Sequence, residues 1–170
     1  MKRISLIIAL FISLSVQAQV SSVSLQASGL TCSLCSNAIN KALKTLDFVD
    51  KVEPNIKNST FDISFKPGRQ VDLDELKKKV EGAGFSVARF TATVHFDHVT
   101  VANDEQLVVD GTAFHFLNVN NQVINGDKAL RVLDKGFVTA KEYKKNSVYT
   151  KMECYKTGVM GGKRIFHVTI

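Results

Sequence analysis

Residues 29–35 read Gly-Leu-Thr-Cys-Ser-Leu-Cys, and this stretch decides how the first half of the chain folds. It follows a run from Val23 to Ala27 in which apolar residues alternate with polar ones, as in a half-buried strand. Apolar residues at helical spacing come after it, so the stretch is a strand-to-helix turn. Residues three apart in the first helical turn lie on one side, so Cys32 and Cys35 can direct two sulfurs at one ion.

The position of this C-x-x-C pair favours metal binding. The N-terminus of a helix carries unpaired N–H groups and a partial positive charge, and both stabilise the thiolate form of cysteine. Thiolates are soft ligands that suit Cu(I) and other thiophilic ions. A closed structural zinc site usually needs four ligands, so an ion held here by two sulfurs would be exposed and exchangeable.

The pattern around the cysteines predicts a β-α-β-β-α-β unit, the ferredoxin-like α+β arrangement. An Asp72-x-x-Glu75 sequence resembles a capping box, and Gly84 is a plausible helix stop. The predicted elements are a strand at Val23–Ala27, a helix at Ser33–Leu46, strands at Val49–Ile56 and Phe61–Phe65, a helix whose apolar face is Leu73, Leu76, Val80 and Ala83, and a strand at Phe85–Phe90.

The glycine-threonine-cysteine context and the element order together resemble the heavy-metal-associated domain, whose motif is Gly-Met-Thr-Cys-x-x-Cys. The resemblance covers roughly residues 20–90 and implies that Cys32 and Cys35 bind Cu(I), Hg(II), Zn(II) or Cd(II), most often passing the ion on by ligand exchange. It also implies that Gly29 and Thr31 shape the loop and that Phe85 packs near it. The departure is Leu30 where the family usually has Met. In the family that Met normally points into the core rather than at the metal, so we expect Leu30 to take its place in the core.

The second half is expected to be a separate, strand-rich domain. Turn signals such as Asp110-Gly111 and Asn125-Gly126 separate short apolar runs, which favours a small OB-like barrel, with a small sandwich as the alternative. The predicted strands are Thr91–Val101, Leu107–Val109, Ala113–Val119, Ala129–Leu133, Tyr149–Thr157 and Lys163–Ile170, with one helix at Thr139–Lys145. The expected domain limits are 19–91 for the metal-binding domain and 92–170 for the barrel.

The third cysteine, Cys154, lies in this second half together with all four histidines of the chain. A hairpin closing near Met160 would place Cys154 and His167 close together across neighbouring strands. That pair is a candidate second site for a soft metal ion. The alternative is a buried cysteine beside ordinary strand histidines.

The N-terminus has the three-part layout of a secretory signal peptide. Lys2 and Arg3 precede an apolar run that is short for a membrane span, and a small-x-small ending closes at Ala18. We therefore expect residues 1–18 to be removed after Ala18 and the mature protein to be periplasmic or secreted, not embedded in the membrane. The chain has 170 residues and a net charge of +6, and a basic protein can bind nucleic acid. An exported protein rarely meets nucleic acid, however, so no nucleic-acid partner is expected.

These patterns predict an exported, non-enzymatic protein that sequesters or transfers a thiophilic ion, with Cu(I) as the expected ion. The expected partner is a metal-transporting membrane protein or another periplasmic metal acceptor. Alternatives remain open at this point. Cys32 and Cys35 could form an inert disulfide in an oxidising compartment. The C-x-x-C pair could serve a periplasmic thiol–disulfide oxidoreductase, or the basic second half could dock an envelope partner under the control of metal.

Overall fold

A computed structural model describes residues 20–30 and 33–170. The expected signal peptide, Thr31 and Cys32 therefore lie outside the described residues. Within the described ranges, no helix combines the length and apolar character that crossing a membrane would require.

The first half folds as predicted from its pattern. Its elements are β1 (Val20–Ser28), α1 (Ser33–Leu43), β2 (Val49–Asn55), β3 (Thr60–Phe65), α2 (Leu73–Gly82) and the start of β4 (Ser86–Val101). Its strands lie in the order β2-β3-β1-β4, all antiparallel, which is the ferredoxin-like arrangement. Asp72 caps α2 by accepting a hydrogen bond from the backbone N–H of Glu75, as the capping pattern indicated.

The second half continues the same sheet. Its elements are β5 (Gln106–Val109), β6 (Thr112–Phe116), β7 (Gln122–Val132), α3 (Ala140–Asn146), a 3-10 turn (Ser147–Tyr149), α4 (Cys154–Thr157), β8 (Val159–Met160) and β9 (Lys163–Thr169). The full order is β2-β3-β1-β4-β7-β9-β6-β5, with β8 paired to β9. All pairs are antiparallel except β6 with β9.

The predicted OB-like barrel is not confirmed. No ladder among the described strands joins β5 back to β4, so the sheet stays open from β2 to β5. The shared element is β4, whose sixteen residues pair with β1 through Ser86–Val94 and with β7 through Thr91–Val101. The expected domain limit at 91/92 falls inside this strand.

One apolar core serves both halves. The helices of the first half contribute Ile39, Leu43 and Leu76, and the sheet contributes buried side chains from both of its ends. Phe137, in the loop between β7 and α3, joins the halves. Its ring lies 5.0 Å from that of Phe90 and 5.8 Å from that of Phe166, edge to face in both cases.

Some predictions for the second half differ from the structure. Asn125 and Gly126, which were predicted to form a turn, lie within strand β7. The segment Tyr149–Thr157 is not a strand: it holds the end of the 3-10 turn and the short helix α4. Gly158 ends α4 in the left-handed conformation, with φ of 69°, and its N–H donates to the carbonyl of Cys154. Gly161 and Gly162 do form the turn of a C-terminal hairpin, but that hairpin pairs β8 with β9.

Candidate functional site

The loop that was predicted to bind metal begins at the end of β1. Ser28 is the last residue of that strand and pairs with Ser86, the first residue of β4. Gly29 follows with φ of 79°, a conformation that favours glycine. Phe85 immediately precedes Ser86, so the sheet brings Gly29 and Phe85 to the same end. Phe85 and Leu30 are both half-buried and pack against the core.

Cys35 lies in the first turn of α1, where Ser33 is the first helical residue. Its side chain is half-buried, between the exposed Leu34 and the buried Ser36. Cys35 is disulfide-bonded in the structure. Because thiolate is the metal-binding form of cysteine, this sulfur must be reduced before it can bind an ion.

Cys154 and His167 lie together, as predicted. Nε2 of His167 is 3.4 Å from Sγ of Cys154, and both side chains are buried. The route differs from the predicted hairpin, since Cys154 is on α4 and only His167 is on a strand, β9. Phe166 and Val168 flank His167 in β9 and belong to the main core. Because alternate side chains of a strand face opposite ways, His167 faces the other side of the sheet.

A third side chain beside this pair, His115, was not predicted. His115 on β6 is the partner of His167 in the parallel β6–β9 ladder, and their rings lie 5.0 Å apart. Its Nδ1 is 3.6 Å from Sγ of Cys154. All three side chains are buried, and their ligand atoms lie within 4.8 Å of one another. We call His115, Cys154 and His167 the buried cluster.

Each histidine of the buried cluster contacts a carboxylate through its other ring nitrogen. Nε2 of His115 lies 3.1 Å from Asp104, and Nδ1 of His167 lies 2.9 Å from Asp134. Asp134 also accepts a hydrogen bond from the backbone N–H of His167 at 2.8 Å. A carboxylate only accepts hydrogen bonds, so in each neutral imidazole the proton is on the nitrogen that faces the aspartate. The unprotonated nitrogens therefore both face the sulfur of Cys154.

Burial sets the protonation preferences in the cluster. It raises the pKa of the Cys154 thiol and lowers the pKa of His115, and the neighbouring His167 lowers the latter further. The ring of Tyr155 covers His167 edge to face at 5.1 Å. Tyr155 in turn stacks on Tyr143, with centroids 4.8 Å apart, so an aromatic pair closes this side of the cluster.

The remaining two histidines stand apart from the cluster. His95 is half-buried and His98 is exposed, and each contacts its own carboxylate at 2.8 Å, Asp127 and Asp97 respectively.

Comparison with known proteins identifies the first half of the chain. Residues 24–86 match the model of the heavy-metal-associated domain. A copper-transporting ATPase of Helicobacter pylori is 38% identical over 58 residues, which cover 34% of this chain and 8% of that protein. The chain thus corresponds to a small part of the curated relatives that it matches.

Solved structures match the same part of the chain. The copper transporter domain Ccc2a of yeast is 30% identical, covering 39% of this chain and 90% of that domain, with a TM-score of 0.36. Oxidized MerP from Ralstonia metallidurans is 28% identical, covering 41% of this chain and 96% of that protein, with a TM-score of 0.36.

Proposed function

Because residues 24–86 form a heavy-metal-associated domain, we propose that this chain binds a thiophilic ion, Cu(I) above all, through Cys32 and Cys35 and passes it to another protein. The observation that carries the proposal is the position of Cys35 in the first turn of α1, within the matched segment. Unpaired N–H groups at a helix N-terminus stabilise thiolate there. Hg(II), Zn(II) and Cd(II) are the other ions that two thiolates suit.

Transfer by ligand exchange follows from the small number of sulfur ligands. An ion held by two thiolates has room for a third from an acceptor, so it can move without ever being free in water. The matched H. pylori relative is a copper-transporting ATPase, which supports a metal-transporting membrane protein as the acceptor. Another periplasmic metal-binding protein would serve equally.

The test is a Cu(I) titration of the reduced full-length protein under anaerobic conditions, against a chromophoric Cu(I) chelator. The Cys32→Ser/Cys35→Ser variant should bind one equivalent fewer than the unaltered protein. Ser33→Ala is the matched control, since it changes the same loop between the two cysteines and should leave the stoichiometry intact. An unchanged stoichiometry and affinity in the double variant would rule the proposal out.

The disulfide at Cys35 favours one second candidate, a thiol–disulfide oxidoreductase. Such an enzyme would reduce insulin in the presence of a thiol reductant and would have a reduction potential in the range of known oxidoreductases. For a metal-transfer protein, neither insulin reduction nor a dependence of that activity on Cys32 is expected. The same double variant therefore separates the two functions.

Export is the remaining part of the proposal. The charged, apolar and small-residue segments that end at Ala18 support cleavage of a signal peptide and a periplasmic or secreted protein. N-terminal sequencing of the protein recovered from a periplasmic fraction should begin at Gln19. Recovery of the chain only from the cytoplasm, with Met1 retained, would contradict export.

A further inference from the structure

We propose that the buried cluster of His115, Cys154 and His167 is a second metal site, which takes a single copper or zinc ion. It lies in the second half of the chain, outside the matched segment 24–86, and its residues are distinct from Cys32 and Cys35. The proposal therefore does not depend on the first site, and either one can fail without the other.

The spacing of the ligand atoms fits an ion. Zinc lies about 2.3 Å from a thiolate sulfur and about 2.0–2.1 Å from an imidazole nitrogen. At a tetrahedral angle these bond lengths put sulfur and nitrogen about 3.6 Å apart. Sγ of Cys154 is 3.6 Å from Nδ1 of His115 and 3.4 Å from Nε2 of His167. Both sulfur-to-nitrogen distances therefore match those expected around one bound ion.

The arrangement of hydrogen bonds in the cluster favours a bound cation. The opposite ring nitrogens donate hydrogen bonds to Asp104 and Asp134 and therefore keep their protons. Both imidazoles thus direct an unprotonated nitrogen at the same sulfur. A thiol has one proton and can donate it to only one of the two. Without a cation, the other nitrogen faces the sulfur with lone pair against lone pair inside a buried site. One metal ion would satisfy the sulfur and both nitrogens together.

The two carboxylates strengthen this reading. Histidines that bind metal ordinarily donate their other ring N–H to a carboxylate or carbonyl, which fixes the ring and makes the ligand more basic. Both histidines here do so, and they come from different strands. Asp134 is itself buried and held by the backbone N–H of His167, so its position is fixed before any ion arrives.

The alternative interpretation of the cluster is a catalytic site in which Cys154 is the nucleophile, since thiol, imidazole and carboxylate also make a nucleophilic triad. Two features speak against it. The Cys154 side chain is only 5% exposed, so a substrate carbonyl could not reach the sulfur without opening the fold. A nucleophile also needs one base, whereas two histidines converge on this sulfur at nearly equal distances.

The donor set restricts the ion to a narrow class. One thiolate and two imidazoles suit copper and zinc and disfavour the oxygen-seeking ions magnesium and calcium. The neighbouring surface is also rich in soft ligands. Gln106, the cross-strand partner of His115, donates through its side-chain amide to the sulfur of Met160 at 3.1 Å and lies 4.0 Å from that of Met152. Both methionine side chains are exposed, so their thioethers are available to a copper ion at this part of the surface.

The experiment uses the Cys32→Ser/Cys35→Ser variant, in which Cys154 is the only thiol of the chain. Co(II), a spectroscopic substitute for zinc, is added to the reduced protein. We expect one equivalent to produce a thiolate-to-cobalt charge-transfer band with the intense visible bands of low-coordinate cobalt. Zn(II) should abolish both by displacement, and a Cu(I) arm of the same competition shows which ion binds more tightly. Because no other thiol is present, the absence of a charge-transfer band would overturn the proposal.

Further substitutions in that background assign the ligands. Cys154→Ser should remove the charge-transfer band, and His115→Gln or His167→Gln should lower the Co(II) affinity by at least tenfold. His95→Gln is the matched control, because His95 also contacts an aspartate but lies outside the cluster. Equal loss in His95→Gln, or retention of the band in Cys154→Ser, would contradict the assignment. Cys154→Ser in the protein that keeps Cys32 and Cys35 should leave Cu(I) binding at the C-x-x-C pair intact, so failure of the second site would leave the proposed function standing.

Discussion

Asp104 lies 3.1 Å from Nε2 of His115 and thereby turns the other ring nitrogen, Nδ1, toward the sulfur of Cys154. The aspartate is in a left-handed backbone conformation, with φ of 62°, which asparagine also tolerates. The contact can therefore be altered by Asp104→Asn without straining the chain.

In the Cys32→Ser/Cys35→Ser background, Asp104→Asn should weaken Zn(II) binding at the buried cluster by about tenfold or more, as loss of a carboxylate behind a metal-binding histidine does. The reason is that a neutral amide makes His115 a weaker base. Competition with a chromophoric chelator measures the affinity. Asp127→Asn, which removes the same charge from beside His95, outside the buried cluster, is the control and should have no effect. Equal affinities in the two variants would argue against the role of Asp104.

The metal-free protein should lose stability as the pH falls. Burial lowers the pKa of His115 below its ordinary 6.5, while His167 adds to the shift and Asp104 and Asp134 oppose it. Below pH 6.5 the unfolded chain therefore binds a proton that the folded chain resists, and the free energy of unfolding decreases. Well above pH 6.5 neither the folded nor the unfolded chain binds this proton, so this loss of stability is absent there.

Urea unfolding on both sides of that pH measures the effect. The dependence on pH should flatten in His115→Gln, since this variant has no imidazole to protonate at the cluster. It should persist in His98→Gln, where the histidine is exposed. A steeper dependence in His115→Gln would contradict the sign of this argument.

Phe137→Ala should destabilise the whole molecule by about 3–5 kcal/mol, the usual cost of truncating a fully buried phenylalanine. The ring contacts Phe90 of β4 and Phe166 of β9, so the cavity would open between the two halves. Because both halves share one core, urea unfolding followed by circular dichroism should show one transition. Val148→Ala, at a side chain that is 76% exposed, should change the stability by less than about 0.5 kcal/mol. Two separate transitions would show that the halves unfold independently.

Leu30→Met should leave Cu(I) affinity unchanged. Leu30 is half-buried and packs against the core, and exchange of leucine for methionine conserves volume. We expect the free energy of unfolding to change by less than about 1.5 kcal/mol. A chelator competition titration checks the affinity, and a clearly tighter Cu(I) complex would mean that this side chain acts on the ion.

The first half could be predicted because its signals are local. Alternation in β1 and β3, helical spacing in α1 and the cap at Asp72 each concern residues close in sequence. The matched segment rests on the same stretch. The sequence also indicates that the halves are joined. Apolar residues alternate through Phe90, Ala92, Val94 and Phe96 without a break at the expected domain limit, and the structure buries all four.

The second half depends on contacts between residues far apart in the chain. The segment before Gly158 is rich in β-favouring residues, yet it turns helical because Cys154 is buried against the sheet and Tyr155 donates its hydroxyl hydrogen to the carbonyl of Tyr143. His115 and His167 meet only through the parallel pairing of β6 with β9. Spacing along the sequence carries no sign of that pairing, so Cys154 and His167 could be singled out but His115 could not.

The sixteen-residue strand β4 has a consequence for how this protein can be divided. A cut at 91/92 would sever β4 within the stretch that pairs with both β1 and β7, leaving each fragment an unsatisfied row of backbone N–H and C=O groups. Exposed edges of this kind recruit other strands and promote aggregation. The two halves therefore share one continuous strand. A protein that docks on the loop at Gly29, as proposed above, would meet the second half in a fixed orientation beside it.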